Sequence, residues 1–116
     1  LEEHLRSHAP WGAHVSVAVG DVSNPFATDV SGPALTALSG CLSAAYGAEE
    51  TATVGSGGSI PLTLALQEQF PGAEIAIFGV EEPQSTIHSP DESVDPEEIT
   101  AIATAEAAFL QVWGRK

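Results

Sequence analysis

Apolar residues recur along this chain with two different periods. In His14-Val15-Ser16-Val17-Ala18-Val19 the three valines fall on alternate positions, the pattern of a strand with one buried face. Thr51-Ala52-Thr53-Val54 is a shorter β-prone run, and Glu74-Ile75-Ala76-Ile77-Phe78-Gly79-Val80 is apolar almost throughout, as a strand buried on both faces would be. Other stretches repeat at helical spacing. Leu35, Leu38, Leu42 and Tyr46, with Ala45, share one side of a helix that Ser31-Gly32-Pro33 opens and Gly47 stops, a proline-first, glycine-last arrangement. Leu62, Leu66 and Phe70 mark a second helix, closed by Pro71-Gly72 and with Ser59 as its candidate N-cap. A third begins at Asp95-Pro96-Glu97-Glu98, which combines an N-cap, a proline at the first helical position and a glutamate at the third. It is predicted to bury Ile99, Ile102, Phe109, Leu110 and Trp113, with Arg115 and Lys116 suiting its negative C-terminal end. Leu1 and Leu5, four apart, place residues 1–7 in the last turns of another helix, which Ala9-Pro10 ends before a turn at Trp11-Gly12.

The order of these elements predicts an α/β fold. The run at 51–54, the helix after it and the run at 74–80 make a βαβ unit, with parallel strands and a right-handed crossover. In such a unit the loops that follow both strands emerge at the same carboxyl edge of the sheet, where open α/β sheets bind ligands. The helix and strand within residues 1–21 form a separate piece. The stretch from Gly20 to Gly32, rich in Asp, Ser, Asn, Pro, Thr and Gly, marks the boundary, so the expected units are 1–21 and 22–116.

Composition narrows the partners. The chain has 116 residues, a formal net charge of −13 and 43% hydrophobic residues, a globular rather than a disordered balance. Sixteen carboxylates face three cationic side chains, Arg6, Arg115 and Lys116. Phosphate backbones and anionic membranes require the opposite charge, so no nucleic acid and no membrane partner is expected. The lone cysteine, Cys41, has no partner for an intrachain disulfide and is expected as a buried thiol in a reducing, cytoplasmic setting.

Two loops carry the candidate chemistry. Gly55-Ser56-Gly57-Gly58-Ser59-Ile60-Pro61 joins a strand-like run to a helix. Its glycines permit close backbone approach, and unpaired N–H groups at a helix start suit an anion. The same glycines also serve as a tight turn. No lysine follows them as in a Walker loop, Ile60 stands where a dinucleotide fingerprint has its third glycine, and no Gly-x-Ser-x-Gly elbow activates Ser59. A backbone site for a carboxylate is the functional reading, through Gly57, Gly58 and Ser59. The second loop, Thr86-Ile87-His88-Ser89-Pro90-Asp91-Glu92, follows the second strand and sets one histidine among carboxylates. A lone histidine is more often a surface or packed residue than a ligand. Its place at the ligand edge makes His88 a candidate zinc ligand, with Glu92 as an acceptor behind the ring or a nearby backbone group. His4, His8 and His14 form a weaker cluster on a helix end and the strand beyond it, and the Glu-Glu pairs read as solvated faces and helix starts.

Gly57-Gly58-Ser59-Ile60-Pro61, followed after a helix and a buried strand by His88-Ser89-Pro90-Asp91-Glu92, resembles the di-zinc metallopeptidases that include carnosinase-type dipeptidases, aminoacylases and glutamate carboxypeptidases. The resemblance covers most of the chain. It implies the end of an α+β lid domain at 1–21 and the C-terminal half of a zinc-exopeptidase-like catalytic domain at 22–116. It further implies His88 as a zinc ligand, Gly58 and Ser59 in the loop that receives the substrate's terminal carboxylate, and two zinc ions in the complete site. A metal-activated water would cut short peptides there, with dimerisation through the lid. The family's His-x-Asp segment and its upstream Glu-Glu pair have no counterpart here, and Gly55-Ser56 stand where many members carry an arginine. No catalytic residue is therefore assigned within the chain, which is expected to be an inactive fragment by itself. The alternatives are an N-acyl-amino-acid deacylase of the same chemistry and a noncatalytic acidic α/β interaction module.

Overall fold

A computed structural model describes every residue except Asp21, Ser23, residues 56–59 and Lys116. Its α-helices are α1 (Glu2–Ser7), α2 (Pro33–Tyr46), α3 (Pro61–Gln69) and α4 (Pro96–Trp113), with a 3-10 turn at Pro10–Gly12. The turn bends where expected, through positive φ at Trp11 and Gly12.

Helix α2 starts at a residue without a capping side chain. Gly32 is its N-cap and Pro33 its first residue, so the proline removes one unpaired amide and others remain. The next two are claimed from far along the chain: the Ala34 and Leu35 amides donate to Glu74 Oε1 (3.1 Å) and Oε2 (2.8 Å). A Cβ on Gly32 would overlap that carboxyl group, so a larger residue there would displace the Glu74 carboxylate from these amides. At the other end Gly47 is left-handed (φ 63°). The Gly47 amide donates to Ala44 O and the Ala48 amide to Ser43 O, the paired bonds of a Schellman stop. Helix α4 is capped locally, with Asp95 Oδ1 accepting from the Glu97 amide at 2.8 Å.

The packed centre is the contact between α2 and α4. Leu38 (7% exposed) and Ala105 (0%) are its buried apolar side chains among the described residues. Phe109 and Trp113, one turn apart on α4, stack with ring centroids 5.9 Å apart. Tyr46 Oη, in the last turn of α2, donates to Glu98 Oε2 in the first turn of α4 at 2.6 Å. That hydrogen bond, then desolvation and the Glu98 charge, pushes the phenol up to about 12 from its ordinary value of 10.0. A folded-state pKa above the unfolded one favours the protonated phenol in the folded protein, so this contribution is intact below pH 10 and is lost between pH 10 and about 12. Alkaline titration of the Tyr46→Phe variant is expected to lose that limb of the stability curve; an unchanged limb would mean that the bond does not form.

Side-chain bonds attach the irregular segments to the helices. Thr51 Oγ1 donates to Ser39 O and meets Ser43 Oγ, each at 2.8 Å. Gln67 Nε2 reaches Ala27 O at 3.0 Å, and Arg6 Nη1 reaches Val15 O at 3.2 Å while pairing with Glu2. Asp29 Oδ1 accepts from both the hydroxyl and the amide of Ser31, which lowers its pKa.

Several burial expectations are corrected. Ile99 and Leu110 are exposed, and Ala105 is the buried residue of α4. The helix expected through Leu62, Leu66 and Phe70 forms as α3, with Phe70 at its C-cap; these three residues are exposed and Thr63 is buried, its hydroxyl donating to Ile60 O. The N-cap of α3 is Ile60; Ser59 lies outside the described residues. Cys41 is a half-buried free thiol. Residues 14–19, 51–54 and 74–80 carry no strand assignment among the described residues, and Ile77, Phe78 and Val80 are exposed. The radius of gyration is 19.4 Å, against about 13 Å for a compact domain of this length. One helix pair therefore organises the chain, and the remaining apolar segments reach beyond it.

Candidate functional site

His88 sits in a loop that closes on itself. At its base Ser85, only 4% exposed, donates through both its amide (3.0 Å) and its hydroxyl (2.7 Å) to Glu82 O. Its own carbonyl accepts from the Ser93 amide at 3.0 Å. Further out, Thr86 Oγ1 donates to Asp91 O at 3.2 Å, and the Ser89 amide donates to Thr86 O at 3.0 Å. The Glu82 carboxylate accepts from the Gln84 amide. Buried serine at the neck and a threonine latch within it thus bracket the histidine.

The backbone in this loop is strained. Thr86, His88 and Asp91 have φ of 50°, 60° and 64°, a left-handed conformation in which Cβ crowds the following carbonyl. Aspartate tolerates it; a β-branched threonine is an outlier there. Each such residue costs of order 1–3 kcal/mol and persists where surrounding bonds over-determine it, as at ligand and catalytic sites. The neck and the latch supply those bonds.

The imidazole of His88 is exposed, leaving its ring nitrogens accessible to a ligand. Glu92 is exposed too and lines a surface groove of about 340 Å³ with Gly79, Val80, Ser85, Ile87 and Val94, a groove that His88 does not line. Gly57, Gly58 and Ser59, the expected carboxylate site, lie outside the described residues; their neighbours Val54 and Ile60 are exposed. Among the described residues no group of three or more His, Cys, Asp and Glu side chains is arranged to hold a metal ion. A single imidazole fits one position of a zinc set and no more. His4 and His8 stack at 4.1 Å, and His8 Nδ1 lies 3.0 Å from His4 O and 2.9 Å from Ser7 Oγ, so these two rings are used within α1.

Ser85, Thr86 and Glu74 were not among the residues singled out from sequence. A serine and a threonine three and two places before a histidine have no periodic signal, and the partner of Glu74 lies far away in sequence. The closest available hint was the crowding of Ser, Thr, Asp and Pro around His88.

Comparison with known proteins places the whole chain beside a peptide hydrolase. That relative is the cysteinylglycine-S-conjugate dipeptidase of Corynebacterium striatum, 53% identical over 115 residues, which span 99% of this chain and 25% of the relative. The chain thus spans about a quarter of the length of the curated relative it matches. No family model matches the chain, and no solved structure matches it. Among the described residues no helix is long and apolar enough to cross a membrane.

Proposed function

We propose that this chain contributes part of the catalytic domain of a zinc-dependent dipeptidase that acts on short peptides, with S-conjugated cysteinylglycine as the first substrate to test. The observation that carries the reading is 53% identity, along 99% of the chain, to a dipeptidase of that name. The ordered pair of motifs around Gly57-Gly58-Ser59 and His88 supports it. On this reading residues 51–54 and 74–80 are neighbouring parallel strands of an α/β sheet, completed by chain beyond these residues.

His88 would hold one zinc through its neutral imidazole. Zinc, when bound at such a site, polarises an amide carbonyl and lowers the pKa of water. The chain's own residues bind and orient. The amides of 57–59 at the start of α3 would receive the substrate's terminal carboxylate, and Glu92 would fix the ring or a nearby amide from behind. The half-buried free thiol of Cys41 suits the reducing cytoplasm.

The test is hydrolysis of S-conjugated cysteinylglycine by the intact protein, before and after chelation. Activity should be lost with the metal and return with zinc, while N-acylated amino acids are cleaved far more slowly. Activity that survives complete metal removal would overturn the proposal, and preference for N-acylated amino acids would replace the dipeptidase with a deacylase.

A further inference from the structure

We infer that Thr86 and Ser85 are positioning residues for the His88 imidazole, an inference that rests on the reading of His88 as a zinc ligand. A metal ligand must present its lone pair within a narrow range of direction. His88 stands on an exposed loop with a left-handed backbone (φ 60°), where an unsupported chain would spread over many conformations. Two closures oppose that spread. The Thr86 hydroxyl donates to Asp91 O, closing the stretch of chain that includes the histidine and joining the two other left-handed residues of the loop. Outside it, buried Ser85 ties Glu82 O to the Ser93 amide. The Thr86 latch fixes the segment that carries the ring, and the Ser85 neck fixes where that segment leaves the rest of the chain. Ordering supplied before the metal arrives need not be supplied by metal binding.

The hydroxyl and not the bulk of Thr86 is the active feature, so Thr86→Val and Thr86→Ser separate the two. In the intact, zinc-loaded protein, chelator competition should show zinc held several-fold more weakly in T86V, less than the roughly 10- to 100-fold that follows loss of a partner bonded directly to a ligand, because the Thr86 hydroxyl acts on the backbone that carries the ring. T86S should hold zinc as the parent does. Ser85→Ala should weaken zinc in the same sense, and serves as the second variant if T86V does not fold. His88→Ala, measured alongside, distinguishes the two readings. Loss of zinc in H88A with parental affinity in folded T86V and S85A would overturn the positioning role alone; parental affinity in H88A would remove the ligand assignment beneath it.

Discussion

Replacing His88 with alanine in the intact protein should, on the proposed zinc-dipeptidase reading, lower kcat/KM for dipeptide hydrolysis by more than the roughly 100-fold that loss of a supporting partner behind a metal ligand costs, and release zinc. The imidazole is exposed, so its removal opens no cavity and the fold should persist. Alanine is itself uncomfortable at φ 60°, and a backbone effect has to be separated from a ligand effect. His88→Asn does this, because asparagine tolerates the left-handed region without supplying an imidazole. Both variants should lose zinc and activity together, and H88N should match the metal-free parent in a denaturation curve, since bound zinc itself would stabilise the loaded parent. Zinc content and kcat/KM that stay at parental values in both would end the case for His88 as a ligand.

Leu38→Ala should destabilise the protein by about 2 kcal/mol or more, because a buried leucine loses its transfer energy and leaves a cavity. The effect is large relative to the core that exists: Leu38 and Ala105 are the apolar residues buried between α2 and α4 among those described. The opposite change, Ala105→Leu, should also destabilise, by about 1–3 kcal/mol, since a fully buried methyl position has no room for a larger side chain. Urea midpoints read both. A loss below about 0.5 kcal/mol for L38A, the range of ordinary surface changes, would show that the α2–α4 contact is not the centre of stability.

Helices were legible because their signals are local. Pro33, Pro61 and Pro96 each occupy the first residue of a helix, Gly47 ends α2 in the left-handed conformation, and Asp95 caps α4. Which face of each helix is covered was less legible. Helical spacing in α4 names Ile99 and Leu110 as readily as Ile102 and Phe109, and the neighbour α2 selects among them. The small Ala105, which carries little hydrophobic signal, is the one fully buried among the described residues of α4. Strand runs at 14–19, 51–54 and 74–80 depend wholly on partners, since a strand's backbone bonds and both its faces are satisfied by other segments. At the candidate site, residue type and order drew attention to His88 and the glycine loop. The left-handed angles at Thr86 and His88 had no sequence marker, because glycine, the usual occupant of such positions, is absent from them.

The Glu74 carboxylate on the first amides of α2 has a consequence for the order of folding. Those amides wait for a side chain 40 and 39 positions away, while α2 can coil and receive its Gly47 stop from local bonds alone. Closing so long a loop carries an entropic cost that local turns do not meet. The Ala34 and Leu35 amides are therefore expected to gain their acceptor only when the 74–80 segment docks, after local bonds such as Thr36 N to Gly32 O have closed the helix. Exchange of the Ala34 and Leu35 amides with solvent thus acts as a clock for that docking, separate from the amides farther along α2, whose protection follows the pairing with α4.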